Sequence, residues 1–260
     1  MDFDWTSFWH YLIQPTSVYL HGLWLTLSLS VVSQSLGTVL GVAAALGTQS
    51  RFRAVRSLVA FYTWLFRGTP LLVQIVFIYT ALAAGGIFRF QDIDLGFVII
   101  PGNIQAAIVA LSLNEGAYMT EIIRAGILAV DNGQTEAAKS LGMTYFKYMR
   151  RIILPQAVRV IVPPLGNEFN AMLKNTTLVS VIGVPELLLA TQMITSATFR
   201  VFELYTVVAL YYLTLTTLWG FVQQWIERRY GEPALREARG NGFVAGGLQR
   251  LRGLRLRDRR

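Results

Sequence analysis

Residues 18–48 read VYLHGLWLTLSLSVVSQSLGTVLGVAAALGT, without a single Asp, Glu, Lys or Arg. A membrane-spanning helix needs about 20 consecutive, mostly apolar residues, so this stretch predicts a bilayer span. Gly37 and Gly41 within it form a G-x-x-x-G pair, which lets a second helix approach closely; the spacing also arises by chance in membrane helices rich in small residues. The rest of the chain has the same character. Of its 260 residues 53% are hydrophobic and 15% charged, against about 25% charged in soluble domains. The two histidines, His10 and His21, and the lack of cysteine exclude disulfides and a histidine- or thiolate-based metal site.

Working outward, a short basic loop (Arg51, Arg53, Arg56) precedes a second span, about Ser57–Ala84, interrupted at Arg67, Gly68, Thr69 and Pro70. A polar stretch, GGIFRFQDIDLGFVIIPGN (residues 85–103), separates it from a third span reaching about Ile123. Residues 124–159 are polar and carry six basic side chains. A fourth span begins near Val160, is marked by Pro163 and Pro164, and breaks again around Lys174–Thr177. The piece LVSVIGVPELLLATQM predicts a helix at the far side, partly buried in protein. A fifth span covers about Val201–Ile226. The expected fold is an all-α polytopic membrane protein with about five transmembrane helices. Its parts are an external amino-terminal segment (1–17), a transmembrane domain (18–230) with a cytoplasmic loop at 131–158, and a basic tail (231–260). Residues 228–260 hold ten arginines, eight of them in the tail, which is expected to be largely disordered.

Five alternating spans put residues 51–56, 124–159 and the tail on one side. Lys and Arg collect on the cytoplasmic side, so the amino terminus is expected outside and the carboxyl terminus inside. The start, MDFDWTSFWHY, is acidic and aromatic, unlike a signal peptide. The tail is read as topology-fixing, with anionic lipid headgroups as the second reading. It has no interleaved aromatics beyond Phe243, so no nucleic-acid partner is expected.

The polar loop contains EAAKSLGMTYFKYMRRIILPQA, residues 136–157. Its first part consists mostly of good helix formers, and Gly142 can end that helix in a left-handed conformation. A second helix, about Thr144–Leu154, is expected to stop at Pro155. Ala137 and Ala138 offer a shallow surface for another protein's groove. Glu136, Ala137 and Ala138, then Gly142, then Ile152, Leu154 and Pro155 resemble the EAA loop of ABC importer permeases. Further segments are similar to the polar amino acid uptake group, the histidine, glutamine, arginine and cystine permeases: RGTPLLVQ (67–74), LNEGAYMTEIIRAGI (113–127), GQTEAAKSLGM (133–143), LPQAVR (154–159) and LKNTTLVSVIGVPEL (173–187). The resemblance covers about residues 16–230.

This resemblance implies a type I ABC importer architecture in a bacterial inner membrane, with Glu136, Ala137, Ala138 and Gly142 in the coupling helix that docks on an ATPase. It implies a second permease subunit, identical or related, an ABC ATPase dimer inside, and an external amino-acid-binding protein. The chain itself would be non-catalytic and need no cofactor. It lacks the G-x-x-x-x-G-K-[ST] phosphate loop, so ATP would be bound by the partner.

Charged and polar groups at membrane depth cost about 2.5–3.5 kcal/mol each for Arg, Lys or Asp, so they normally face a cavity or a partner. The candidates for a substrate pathway are Arg67, Asn114, Glu115, Glu168, Asn170 and Lys174. Arg67 reads as a structural ion pair at a kink, or as a gate or carboxylate-binding group. Glu121 and Arg124, three apart, read as a structural pair. Glu168 would meet a substrate ammonium or guanidinium, or a salt-bridge partner in Lys174 or Arg67. An ABC permease for another small solute, such as an opine or methionine, is the alternative function. An ion-coupled secondary transporter would show an internal repeat and no docking loop, and a membrane scaffold would leave the intramembrane charges without purpose.

Overall fold

A computed structural model describes residues 3–96 and 99–230. The amino-terminal segment contains a short helix, α1 (Trp5–Ile13), capped by the Asp4 carboxylate on the Thr6 and Ser7 N–H groups. The long helix α2 follows at Ser17–Thr48, matching the charge-free stretch almost residue for residue. Next come α3 (Arg53–Gly68) and α4 (Leu71–Val76), then a π-helical turn (Phe77–Ala81) and α5 (Leu82–Ala84). The polar stretch folds into a small antiparallel ladder, β1 (Ile93–Asp94) with β2 (Ile99–Ile100). The central helix is α6 (Gly102–Leu128). The polar loop holds α7 (Asn132–Ser140), α8 (Tyr145–Tyr148) and a second π turn (Met149–Ile153). The chain then runs through α9 (Leu154–Asn175), a 3-10 segment (Thr176–Ile182), α10 (Leu187–Thr198) and α11 (Val201–Tyr230). The basic tail lies outside the described residues.

Among the described residues two helices, α2 and α11, are long and apolar enough to cross a membrane, or up to four spans if each bent helix pair counts as one. The bent pairs are α3 with α4–α5, at 108°, and the α8–α9 rod with α10, at 51°. The expected third span, α6, is 27 residues long, or about 40 Å. It is less apolar because α2, α3, α4 and α9 pack around it, so its polar side chains face protein rather than lipid. The Gly37–Gly41 pair acts as the sequence suggested. A Cβ on Gly41 would sit 2.3 Å from the Met119 Cβ, and one on Gly37 2.6 Å from the Glu115 Cβ. The backbones of α2 and α6 therefore approach where no larger residue fits.

The expectation that the loop's second helix stops at Pro155 is corrected. One helical rod runs from Tyr145 through Pro155, Pro163 and Pro164 to Ile182. Pro155 stands in the first turn of α9, where a missing N–H costs least. The turn before it is π-helical, and the Leu154 N–H reaches back to the Met149 carbonyl. The fourth span accordingly begins earlier than Val160 and is not interrupted by its prolines. Near Lys174 it tightens into the 3-10 segment, which ends at Gly183 in the left-handed region.

Candidate functional site

The projecting segment is built around α7. Asp131 caps its start by accepting from the Gly133 N–H at 2.7 Å. At its end Gly142 adopts φ +69°, the Gly142 N–H donates to the Lys139 carbonyl, and the Met143 N–H donates to the Ala138 carbonyl. That pair of bonds is the Schellman closure of a helix, at the glycine the sequence marked. Ala138 departs from expectation. It is buried in a cluster with Tyr148, Met149 and Ile153, so it seats α7 on its own chain and is not free for a partner. A short helix must bury one face to stay folded, and Ala138 is on that face. The outward surface holds Glu136, Ala137 and Lys139, extended by exposed Leu141, Tyr145 and Phe146. The Tyr145 hydroxyl donates to the Gln49 Oε1 at 3.4 Å, tying this segment to the end of α2.

Inside the bundle the polar candidates separate into distinct roles. Pro70 has no N–H to offer the Phe66 carbonyl, four residues back. The Gln74 Nε2 donates to that carbonyl at 2.8 Å, and also to the Thr69 carbonyl at 3.0 Å and the Thr69 hydroxyl at 2.8 Å. The Asn114 Nδ2 donates to the same Phe66 carbonyl at 3.1 Å and to the Gln74 Oε1 at 2.9 Å. Asn114 thus closes the break between α3 and α4 and is buried there. Glu115 is also buried and accepts from the Gln34 Nε2 at 2.8 Å. Both candidates for the substrate pathway are thus buried and hydrogen-bonded within the bundle.

Arg67 ends α3 with its guanidinium 5.6 Å from the Tyr118 ring centre. It lines a groove of about 500 Å³ with Arg56, Glu121 and Arg124. Glu121 and Arg124 form the expected pair at 2.7 Å. Glu168 makes no ion pair with Lys174, Arg67 or any other described residue. Asn170 leaves a buried Oδ1 with no hydrogen bond among the described residues. Lys174 is exposed at the end of α9, where a cation suits the helix dipole.

Residues 37–232 match the family described as the binding-protein-dependent transport system inner membrane component. The chain belongs to this family. Among family relatives, the arginine transport system permease protein ArtQ of Bacillus subtilis (strain 168) is 39% identical over 81% of this chain and 91% of its own length. The glutamine transport system permease protein GlnP of Escherichia coli (strain K12) is 34% identical over 88% of this chain and 98% of its own. The arginine transport system permease protein ArgU of Corynebacterium glutamicum (strain ATCC 13032) is 37% identical over 90% and 74%. A crystal structure of an amino acid ABC transporter with histidines superposes with a TM-score of 0.77 at 40% identity, covering 88% of this chain and 100% of that one. The inner-membrane component thus keeps a loop helix at one end of its bundle and, among the described residues, polar groups on α9 without a partner.

One buried group escaped the sequence reading. Glu186 caps α10, accepting from the Leu188 and Leu189 N–H groups at 2.9 and 2.8 Å and from the Tyr212 hydroxyl at 2.8 Å. The only local signal was an acid directly before the apolar run LLLA. Its tyrosine partner, on a separate span, left no trace in the pattern.

Proposed function

We propose that the chain is the membrane-spanning permease subunit of an ATP-driven importer of polar L-amino acids. The similarity to arginine and glutamine permeases over nearly the whole length carries this reading. In it, α7 is the coupling helix, with Glu136, Ala137 and the exposed Leu141 and Phe146 meeting a separate ATPase dimer, and Ala138 and Gly142 holding its shape. The ATPase binds and hydrolyses ATP; the permease has no catalytic group. The basic segments 51–56 and 124–159 support an inner-membrane orientation with the amino terminus outside and the carboxyl terminus in the cytoplasm. A second permease subunit and an external amino-acid-binding protein complete the importer. On α9, the Glu168 carboxylate, without an ion pair among the described residues, is the group suited to meet a substrate ammonium; Asn170, whose Oδ1 has no partner among the described residues, and Lys174 follow on the same helix.

Affinity purification in mild detergent tests the coupling claim. An ATPase subunit should co-purify with the wild-type chain and be lost in Glu136→Lys. ATPase stimulation in proteoliposomes by candidate amino acids with the cognate binding protein tests the substrate class. Glu168→Gln should weaken the apparent affinity for the solute at normal assembly. No stimulation by any polar amino acid would refute the substrate assignment, and no co-purified ATPase would refute the importer.

A further inference from the structure

Helix α1 has three faces. Phe8, Tyr11 and Leu12 turn toward α11 and the start of α2, in a cluster with Tyr19, Leu204 and Val207. Trp5, Trp9 and Ile13, each four residues apart, form a second ridge that stays 63%, 51% and 68% exposed. Thr6 and His10, continued by Gln14, form a third ridge that is polar and exposed. At ~100° per residue, the apolar ridge lies between the protein-facing side and the polar ridge. A helix lying along a membrane beside a protein has this arrangement, with one side on protein, one on acyl chains and one on water.

The exposed ridge is held in place. Asp4 pairs with Arg200, its N–H donates to the Glu203 Oε1 at 2.8 Å, and the Tyr211 hydroxyl donates to the Leu12 carbonyl at 3.3 Å. The helix is therefore fastened to α11 at both ends. The ridge joins α11 through Phe3, whose ring centre lies 4.6 Å from that of Trp5 and 5.4 Å from that of the exposed Phe202; Leu20 and Trp24 on α2 are exposed as well. At the α10–α11 corner, Phe199 adopts φ +58° and is 83% exposed, a conformation rare for a bulky residue. All these side chains sit at the start of α2. The opposite end of α2, about 48 Å away for 32 residues, meets the projecting α7 segment through Gln49 and Tyr145.

We infer that α1 is an interfacial anchor lying in the headgroup–acyl boundary of the leaflet remote from α7. Trp5, Trp9 and Ile13 enter the acyl layer, and Thr6 and His10 face water. Indole rings suit this depth, being apolar with one N–H donor. The segment from Trp5 to Ile13 carries no Asp, Glu, Lys or Arg, so attachment needs apolar contact and not anionic lipid. The apolar ridge is continuous with the outer surface of the spans, which makes the bilayer its occupant. This holds whichever solute is carried.

The absence of cysteine allows single nitroxide labels on the full chain in phosphatidylcholine vesicles. Labels at Trp9→Cys, Ile13→Cys and His10→Cys are compared for access to oxygen, which concentrates in lipid, and to a water-soluble nickel complex. Positions 9 and 13 should favour oxygen over nickel by several-fold relative to position 10. Ile13→Cys against Gln14→Cys repeats the comparison with both tryptophans intact. Equal nickel access at all labels would place the ridge in water and overturn the inference. Loss of access to both reagents at 9 and 13 would mean that protein, a second copy or another chain, covers the ridge, and would overturn it too.

Discussion

Replacing Gly41 by alanine adds a single methyl group at the α2–α6 crossing. That methyl would lie 2.3 Å from the Met119 Cβ, 3.0 Å from the Met119 carbonyl carbon and 3.1 Å from the Thr120 nitrogen. Carbon atoms rest at about 3.5–4.0 Å, so the two helices must separate locally by roughly 1.5 Å. None of the three atoms is the free end of a flexible side chain. Overpacking of this kind costs about 1–3 kcal/mol. The alanine recovers about 0.5–1 kcal/mol of backbone entropy, leaving a net loss of up to about 2.5 kcal/mol, centred near 1 kcal/mol. At about 2–4 °C per kcal/mol for a chain of this size, the midpoint should fall by roughly 2–4 °C at that central value. The assay is thermal unfolding of the purified protein in mild detergent, followed by size-exclusion recovery of heated samples. Gly220→Ala is the control: Gly220 lies within α11 with nothing within 4 Å of the added Cβ, so its midpoint should hold or rise. A Gly41→Ala protein as stable as Gly220→Ala would refute the close approach of α2 and α6.

Asn114→Ala should act on stability before transport, because it takes the donor from the buried Gln74 Oε1 and one of two amide donors from the Phe66 carbonyl; a buried acceptor left unsatisfied costs about 1–3 kcal/mol, read as a lower midpoint with unchanged apparent solute affinity. Gly142→Ala puts a side chain at φ +69°, at about 1–2 kcal/mol. It should reduce solute-stimulated ATPase activity at normal membrane yield, and full stimulation would refute the coupling role of the α7 end. The Ser7 N–H, then the Ser7 hydroxyl and the Arg200 charge, hold the Asp4 carboxyl below its ordinary value of 3.8. A group whose pKa is depressed on folding stabilises above its unfolded value and loses that contribution as pH falls through the folded one. A nitroxide at position 10 should therefore keep its mobility from neutral pH down to about 4 and loosen only below 3.8, whereas loosening at pH 5–6 would refute the Asp4 fastening.

The residues that were legible in the sequence act through the backbone or through plain hydrophobicity. The charge-free stretch 18–48 has one stable environment, so α2 appears almost where it was expected. Gly142 was legible because a left-handed helix end strongly favours glycine, and Gly37 and Gly41 because only small residues permit a close crossing. Contacts that depend on a distant partner were not legible. Pro70 announced a break, but the groups that satisfy the stranded Phe66 carbonyl are Gln74 and, 48 positions away, Asn114. Read without that partner, Asn114 looked like a cavity residue, and only the fold shows it to be a structural amide. Ala138 failed for a related reason. Ala137 and Ala138 are adjacent and alike, and which of them faces inward depends on how the α8–α9 rod runs beneath α7. That rod was itself misjudged at Pro155, since a π turn absorbs a proline without any residue that marks it. Glu168 gained interest from the fold: the salt bridges that would have made it structural do not form among the described residues. Lys174 lies exposed at its helix end, and Arg67 turns to the Tyr118 ring. Two residues apart on α9, Glu168 and Asn170 point to different sides of the helix, so of the two it is Glu168, half-buried with no ion pair among the described residues, that the proposed substrate role rests on.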